Sequence, residues 1–330
     1  MFMRSYRMTE LLQDHNVQVY PTEYLISRLK GRATAMVLDW ETVALSQSPY
    51  NELLSMERGK DISGAVLDTV WMKALKEIQW VYSQMNSGLR ETFSPFFLYH
   101  EIDTIHLCMR FRLSKAAESK IEGLLSYGLL SETVRQAILR AGDIQSLLEI
   151  IESLFVPFSD SFRGIKEFYS NKNSKDVEQR FITCYLEHAV SSKVHPLIKR
   201  LFMYLIDMRN LMALYKHLRW GIYKPPDYVR GGSLARREIN EVFAARDISD
   251  MDRLVHKVTS LGNEASAMSG PENCLLRGLT KLLRRSGRVD SDVGFILYYL
   301  WRCHVQARNT SLLLSVKELE REKLTGELIH

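Results

Sequence analysis

Proline, cysteine and long apolar runs are scarce in this chain, and each shortage excludes a class of protein. Its 330 residues include 8 prolines and 4 cysteines. The cysteines form no C-x-x-C pair, which argues against a zinc ribbon or a secreted disulfide framework and indicates a reducing compartment. Apolar stretches such as FILYYLW (295–301) are far shorter than the roughly 20 residues of a membrane span. The start, MFMRSYRMTE, lacks a signal peptide's apolar centre, so we expect a soluble, cytoplasmic protein.

Motifs of the common enzyme and nucleic-acid-binding classes are missing as well. The sequence has no Walker A, G-x-G-x-x-G, G-x-S-x-G or H-E-x-x-H motif, and its nine histidines are scattered singly. We therefore predict no cofactor, no metal and no small-molecule substrate. The net charge of +5 permits an acidic protein surface or anionic lipid headgroups as partner, whereas nucleic-acid binding usually needs a steeper excess. The densest basic run, TKLLRRSGR (280–288), lacks interleaved aromatic residues and is better explained as a solvated helix end.

Helical periodicity is what the sequence has throughout. Apolar residues recur at the spacing of an amphipathic helix in nearly every segment, and no run alternates convincingly as a strand does. Glycine-, proline- and serine-rich breaks such as YKPPDYVRGG (223–232) separate the segments. We predict an all-α fold with helices over 24–37, 67–85, 93–112, 116–125, 131–139, 143–154, 175–190, 193–219, 233–244, 249–261, 273–285 and 292–322.

An internal repeat relates two of these helices. With an offset of 104 and no gap, EIDTIHLCMRFR (101–112) falls on LIDMRNLMALYK (205–216). YGLLSETVRQAILRAGDI (127–144) falls on GGSLARREINEVFAARDI (231–248) in the same register, which places Asp143 and Asp247 at helix N-caps. Each copy is thus a long helix, a glycine-marked turn and a short helix.

The repeat also aligns polar residues. Asp103 falls on Asp207, and His106 falls on Asn210. A third copy of the long helix, offset by 99 from the second, lies in YLWRCHVQARNTSLLLSVKELE and places Asn309 on Asn210. These residues are the candidate structural polar pairs of the repeat.

Asp103 and His106, three residues apart, have two interpretations. They form either an acid–base or metal-binding pair, or a hydrogen-bonded pair that fixes helix packing. Asp103 shares a helical stripe with Leu107 and Phe111, so we expect its carboxylate on or beside the packing face, where it must be paired. The structural interpretation is favoured because the second copy has Asn210, which transfers no protons near neutral pH, in place of His106.

Three kinds of stretch carry a family resemblance. These are YLISRLKGRATAMVLDWE followed by SPYNELL, the two long helices EIDTIHLCMRFR and LIDMRNLMALYKHLRWG, and the tail RNTSLLLSVKELEREKLTGELI. In them the chain resembles, over nearly its whole length, the C-type subunit of the archaeal and bacterial V-type (A/V-type) ATPases, whose eukaryotic counterpart is the d-type subunit. It departs from the family pattern at His106, where Asn is usual, and at Gln306, which replaces an acidic residue.

The resemblance implies a domain organisation. It predicts three similar helical lobes in a funnel of pseudo-threefold symmetry, with the long C-terminal helix closing onto the first lobe. The first lobe would comprise 1–92 with 292–330, the second 93–192 and the third 193–291.

The resemblance also implies a function. It predicts a non-catalytic adaptor of a rotary ATPase, which links the D- and F-type central-stalk subunits to the membrane proteolipid ring and transmits torque for ATP-coupled H⁺ or Na⁺ transport. The chain would bind peripherally at the cytoplasmic face of the membrane. The candidate partner-binding residues are basic: Arg28, Lys30, Arg32, Arg284 and Arg285. Two alternatives stay open, a soluble α-helical repeat scaffold for protein–protein interaction and an all-α enzyme that uses Asp103 and His106.

Overall fold

Helices dominate the part of the chain that the structure describes. The computed structural model describes residues 8–14, 20–46, 65–171, 174–261, 270–289, 291–315 and 324–329. No strand is found in these ranges, where the α-helices are α1 Thr22–Ala33, α2 Trp40–Leu45, α3 Ala65–Gln84, α4 Ser87–Leu113, α5 Glu118–Ser126, α6 Glu132–Arg140, α7 Ile144–Phe155, α8 Ile165–Asn171, α9 Ser174–Ser191, α10 Pro196–Arg219, α11 Arg236–Ala245, α12 Ser249–Thr259, α13 Pro271–Arg288 and α14 Asp292–Ser315. The predicted all-α fold is confirmed.

The predicted boundaries differ from the observed ones at the start of the chain. Helix α1 ends at Ala33, not at residue 37, because the Thr34 hydroxyl donates to the Gly31 carbonyl (2.7 Å) and caps the last turn. A separate short helix, α2, follows where Asp39 accepts the N–H of Thr42 (3.0 Å). Helix α8 was not predicted either, and the predicted end of the last helix, 316–322, lies outside the described residues.

Helix α4 contains a proline and yet continues through it. Pro95 has no N–H for the carbonyl of Glu91, and the Ser94 hydroxyl donates to that carbonyl instead (3.0 Å). The Pro95 carbonyl in turn accepts the hydroxyl of Tyr185 on α9 (2.6 Å). The helix starts at Ser87, six residues before its predicted start at 93, because Asn86 caps it.

The chain forms two compact units. Unit 1 comprises Met1–Tyr20, Gln79–Phe202 and Val229–Gly231, and unit 2 comprises Pro21–Ile78, Met203–Tyr228 and Gly232–His330. The predicted arrangement of three lobes stays a prediction.

Aromatic residues fill the core of unit 1. Phe155 packs edge-on against Phe181 (ring centroids 4.9 Å apart) and also contacts Phe162 (5.2 Å). Tyr82 packs edge-on against Phe97 (4.9 Å). Each such pair stabilises the fold by about 0.5–1.5 kcal/mol beyond the contribution of the area that it buries.

Aliphatic residues dominate the core of unit 2. Its largest described cluster joins α10 to α11, α12 and α13 and includes Leu211, Leu214, Ile239, Val242 and Leu254, which are at most 2% exposed. A smaller cluster surrounds Trp40 and Leu328. Helices α13 and α14 pack side by side, and α1 packs against α14.

The turn that ends α4 has the same backbone hydrogen bonds as the turn that ends α10. In each, a residue with positive φ follows the helix, Lys115 (52°) in the first and Gly221 (64°) in the second. The bonded pairs are Ala116 N to Phe111 O (2.9 Å) and Lys115 N to Arg112 O (3.3 Å) in the first copy, and Ile222 N to His217 O (2.9 Å) and Gly221 N to Leu218 O (3.2 Å) in the second. The long helices therefore repeat with an offset of 106 (221 minus 115).

The alignment without a gap, at an offset of 104, is wrong over the long helices. It holds from Gly128 and Gly232 onward, and α6 and α11 begin at Glu132 and Arg236, so the second copy has lost two residues between the turn that ends the long helix and this glycine. A shift of two residues rotates a helix position by about 200°. Consequently Asp103, which was predicted on or beside the packing face, is exposed, whereas Asp207 is buried.

Candidate functional site

Asp207 fastens α10 to the turn that follows it. Its carboxylate is buried and accepts the backbone N–H of Ser233 (Oδ2, 2.9 Å) and of Leu234 (Oδ1, 3.1 Å), together with the Ser233 hydroxyl. A Cβ at Gly232 would overlap the carboxylate, so the close approach needs glycine at this position. With its acceptor sites occupied, Asp207 acts as a clamp between helix and turn.

Glu101 makes the corresponding clamp in the first copy, where sequence reasoning pointed to Asp103. Its Oε1 accepts the N–H of Leu129 at 2.6 Å, and a Cβ at Gly128 would lie 2.7 Å from Oε2. Burial raises the pKa of Glu101 to about 7, although the hydrogen bond from Leu129 opposes the shift. Glu101 is 5% exposed, so its carboxyl group is shielded from water.

The segment that Glu101 clamps also pairs with the start of the chain. Ser131 N donates to the Leu11 carbonyl and Gln13 N to the Leu129 carbonyl, both at 2.8 Å. The clamp thus holds a short contact between two segments of the chain inside unit 1.

His106, the predicted partner of Asp103, is buried. It packs edge-on against Phe181 (5.9 Å between centroids). The hydrogen bonds from Arg110 (2.8 and 2.6 Å) lower the pKa of Glu178, and the nearby His106 acts in the same direction. His106 therefore lies at the edge of an ion pair and an aromatic core.

Both asparagines of the predicted polar pairs are buried, and Asn309 is a third clamp. Asn210 is 5% exposed and Asn309 0%. Asn309 Nδ2 donates to the Ile329 carbonyl (2.8 Å), and its Oδ1 accepts the Ile329 N–H (3.2 Å). The amide satisfies both backbone groups of Ile329, as a carboxylate could not, and so fixes the last described segment against α14.

The five basic candidates are exposed but engaged to different degrees. Arg28 lies over the Tyr24 ring and Lys30 over the Phe295 ring, at 5.7 and 5.9 Å from the centroids. Arg284 donates to the Tyr298 hydroxyl (3.3 Å), and Arg285 lies in the last turn of α13. Of the five, Arg32 is the most firmly held.

Arg32 belongs to a hydrogen-bonded network in unit 2 that is partly exposed to solvent. Its Nε donates to Glu77 Oε1 (2.7 Å) and its Nη2 to Oε2, while the Tyr299 hydroxyl donates to the same carboxylate (2.6 Å). The hydrogen bond to Glu77 raises the pKa of Arg32, and burial raises the pKa of Tyr299. This network joins α1, α3 and α14.

A cavity of about 370 Å³ lies beside this network. Arg32, Glu77, Tyr299 and Cys303 line it together with apolar residues of α3 and of the segment that follows α1. Gln306 Oε1 is buried in its wall without a hydrogen-bond partner among the described residues. The Glu77 carboxylate already accepts hydrogen bonds from Arg32 and Tyr299, so these side chains hold α1, α3 and α14 together.

Two other kinds of functional feature are absent from the part of the chain that the structure describes. No group of three or more His, Cys, Asp or Glu side chains there is placed to hold a metal ion. None of the helices described is both long and apolar enough for a membrane span.

One comparison identifies relatives of the chain. A family model described as ATP synthase (C/AC39) subunit matches residues 41–322. This match confirms the resemblance inferred from the sequence. No curated protein matches the chain.

Proposed function

Because the chain belongs to the ATP synthase (C/AC39) subunit family, we propose that it joins the central stalk of a V/A-type rotary ATPase to the membrane proteolipid ring. The family match over 41–322 carries this proposal. The family consists of accessory subunits of the ATP synthase, so the chain works together with other subunits of that complex.

The clamps support a mechanical role. A part that transmits torque must resist sliding between its helices and the turns that join them. Glu101, Asp207 and Asn309 each tie a long helix to backbone that lies 20 to 28 residues further along the chain. Removing a buried partner from such a bond costs about 1–3 kcal/mol, so these contacts oppose local slippage.

The exposed basic residues suit the proposed location at the cytoplasmic face of a membrane. Arg28, Lys30, Arg284 and Arg285 are our candidates for contacts with acidic loops of the D- and F-type stalk subunits or of the ring. Such contacts between exposed charges weaken as salt increases, because the Debye length is about 8 Å at physiological ionic strength.

The decisive experiment is purification of the tagged full-length chain from native membranes. We expect proteolipid and central-stalk subunits to be recovered with it and identified by mass spectrometry. Recovery of soluble partners alone, without either class of subunit, would overturn the proposal and favour a repeat scaffold.

A functional measurement complements the purification. In membranes from cells that lack the chain, ATP hydrolysis should no longer drive ion uptake, and the wild-type chain should restore coupling. An ionophore, which collapses the gradient however well the complex is coupled, is the control. Unchanged ion uptake per ATP without the chain would contradict a role in torque transmission.

A further inference from the structure

Two aromatic side chains stand in solvent where α10 ends. Tyr223 is 85% exposed and Trp220 68%, more than any other aromatic side chain among the described residues. A scattered exposed apolar residue is ordinary, whereas here two large aromatic residues are exposed within four positions of one helix end.

The backbone that carries these side chains is fixed at the helix end. The Ile222 N–H reaches back to the His217 carbonyl, and Gly221 adopts the left-handed conformation between them. This is the Schellman arrangement, which holds the residues after a helix in a defined course.

Arg246 fixes the same segment from the other side. Its guanidinium donates to the carbonyls of Ile222 (2.6 Å) and Tyr223 (3.1 Å). It also lies over the rings of Tyr223 and of the buried Phe243, 4.8 and 4.1 Å from their centroids. Arg246 holds this position with a φ of 58°, which is unfavourable for a residue other than glycine. Arg246 therefore connects the exposed Tyr223 to the buried core residue Phe243.

The first copy shows that the turn does not need aromatic residues. With the offset of 106, Trp220 corresponds to Ser114 and Tyr223 to Ala117, in a turn with the same backbone hydrogen bonds. The same local fold is thus built with small side chains. The fold of this turn therefore does not require the aromatic rings of Trp220 and Tyr223.

Charge differs between the copies as well. Exposed cations surround the aromatic pair: Lys216, Arg219 and Lys224. Their counterparts in the first copy are Arg110, Leu113 and Glu118, of which Arg110 is paired with Glu178. Within 216–228 only Asp227 is acidic, so the patch is positively charged.

We propose that Trp220 and Tyr223, with Lys216, Arg219 and Lys224, form a docking surface for an acidic polypeptide segment of another subunit of the same complex. We call this set the aromatic tip. The inference rests on the proposed function, because that function supplies the assembly. Tryptophan, tyrosine and arginine dominate the energetics of protein interfaces, and the cations match an acidic partner.

A polypeptide fits the aromatic tip better than a lipid surface does. The side chains are presented on a backbone held by Arg246 and the Schellman turn, and such pre-organisation reduces the entropy lost in binding one specific shape. A lipid headgroup layer has no fixed shape to match, so a fixed backbone favours it less.

The test measures rebinding of the purified full chain to membranes from cells that lack it. We expect Trp220→Ala together with Tyr223→Ala to weaken rebinding about 30-fold, which corresponds to about 2 kcal/mol. Lys216→Glu with Lys224→Glu should weaken it too, and should reduce its dependence on salt. The control is Leu38→Ala, which truncates an apolar side chain that is 77% exposed elsewhere in unit 2. Unfolding midpoints close to that of the wild type exclude misfolding.

The outcomes separate this inference from the proposed function. Rebinding of the double alanine variant as tight as that of the wild type would overturn the aromatic tip and leave the proposed function standing. Failure of the wild-type chain itself to rebind would instead count against both. Equal binding of the wild type to protein-free vesicles of phosphatidylcholine and phosphatidylglycerol, lost in the alanine variant, would identify a lipid surface and overturn the polypeptide partner.

Discussion

Glu101 occupies in the first long helix the position that Asp207 occupies in the second. Each lies twelve residues before the last residue of its helix (113 minus 101, and 219 minus 207). Each accepts the N–H of the residue that follows a glycine, Leu129 in one copy and Ser233 in the other. The repeat therefore contains a buried carboxylate clamp whose chemistry can be tested in both copies.

Glu101 should make stability depend on pH. Its pKa is about 7 in the folded chain, against an ordinary value of 4.5, because it is buried. Between these values the folded chain keeps a proton that the unfolded chain releases, so this contribution is full below pH 4.5 and is lost as pH rises through 7. We expect Glu101→Gln to gain stability relative to the wild type between pH 5 and 8, by on the order of 3 kcal/mol. Urea unfolding of both proteins across this range measures the difference.

Glu122→Gln is the matched control for that pH series. It neutralises an exposed carboxylate on α5 in the same unit, away from the clamp. We expect no comparable step. If the difference in unfolding free energy between Glu101→Gln and the wild type stays constant from pH 5 to 8, the buried Glu101 carboxyl does not keep its proton as we propose.

The glycines beside the clamps should resist substitution. In Gly232→Ala the new Cβ would overlap the Asp207 carboxylate, which three hydrogen bonds prevent from moving aside. We expect a loss of about 2 kcal/mol or more in the free energy of unfolding. Gly123→Ala is the control, since a Cβ at this exposed helix position meets nothing within 4 Å and should stabilise by about 0.5–1 kcal/mol. Equal effects of the two substitutions would show that the clamp has room to relax.

The sequence predicted the helices well and the register of the repeat less well. Helical periodicity depends on local spacing, and Asp143 caps α7 as predicted, because both signals lie within one segment. The clamp residue was missed because two signals conflicted. Asp103 matched Asp207 by residue type, but the register observed in the structure aligns Glu101 with Asp207. The loss of two residues between the long helix and the glycine turn cannot be read from residue types alone.

Other features had no sequence signal that could have revealed them. Trp220 and Tyr223 look like ordinary helix-end and loop residues, and the contact that holds Tyr223 comes from Arg246, 23 residues further along the chain. The network of Arg32, Glu77 and Tyr299 joins residues up to 267 positions apart (299 minus 32), which no local pattern encodes.

The ion pair of Arg32 and Glu77 should show measurable coupling. The pair is bidentate, its glutamate side chain is only 18% exposed, and the Tyr299 hydroxyl adds a further bond. A double-mutant cycle with Arg32→Ala and Glu77→Ala should give a coupling energy of about 1 kcal/mol, with the half-exposed arginine limiting the value. The cycle for Arg237 and Glu241, an exposed pair on one helix turn, should give no more than about 0.5 kcal/mol. Equal coupling in both cycles would mean that burial adds nothing to the network.

Asn309 should stabilise the chain through Ile329. Asn309→Ala removes both hydrogen bonds to the buried backbone of Ile329, so it should cost about 2–4 kcal/mol and speed hydrogen exchange in residues 324–329. Removal of residues 329–330 from the wild type provides the second arm of a cycle. If Asn309 acts through Ile329, Asn309→Ala should cost much less in the shortened chain, because the partner groups are already gone. Fully additive losses would show that Asn309 stabilises α14 by some other contact.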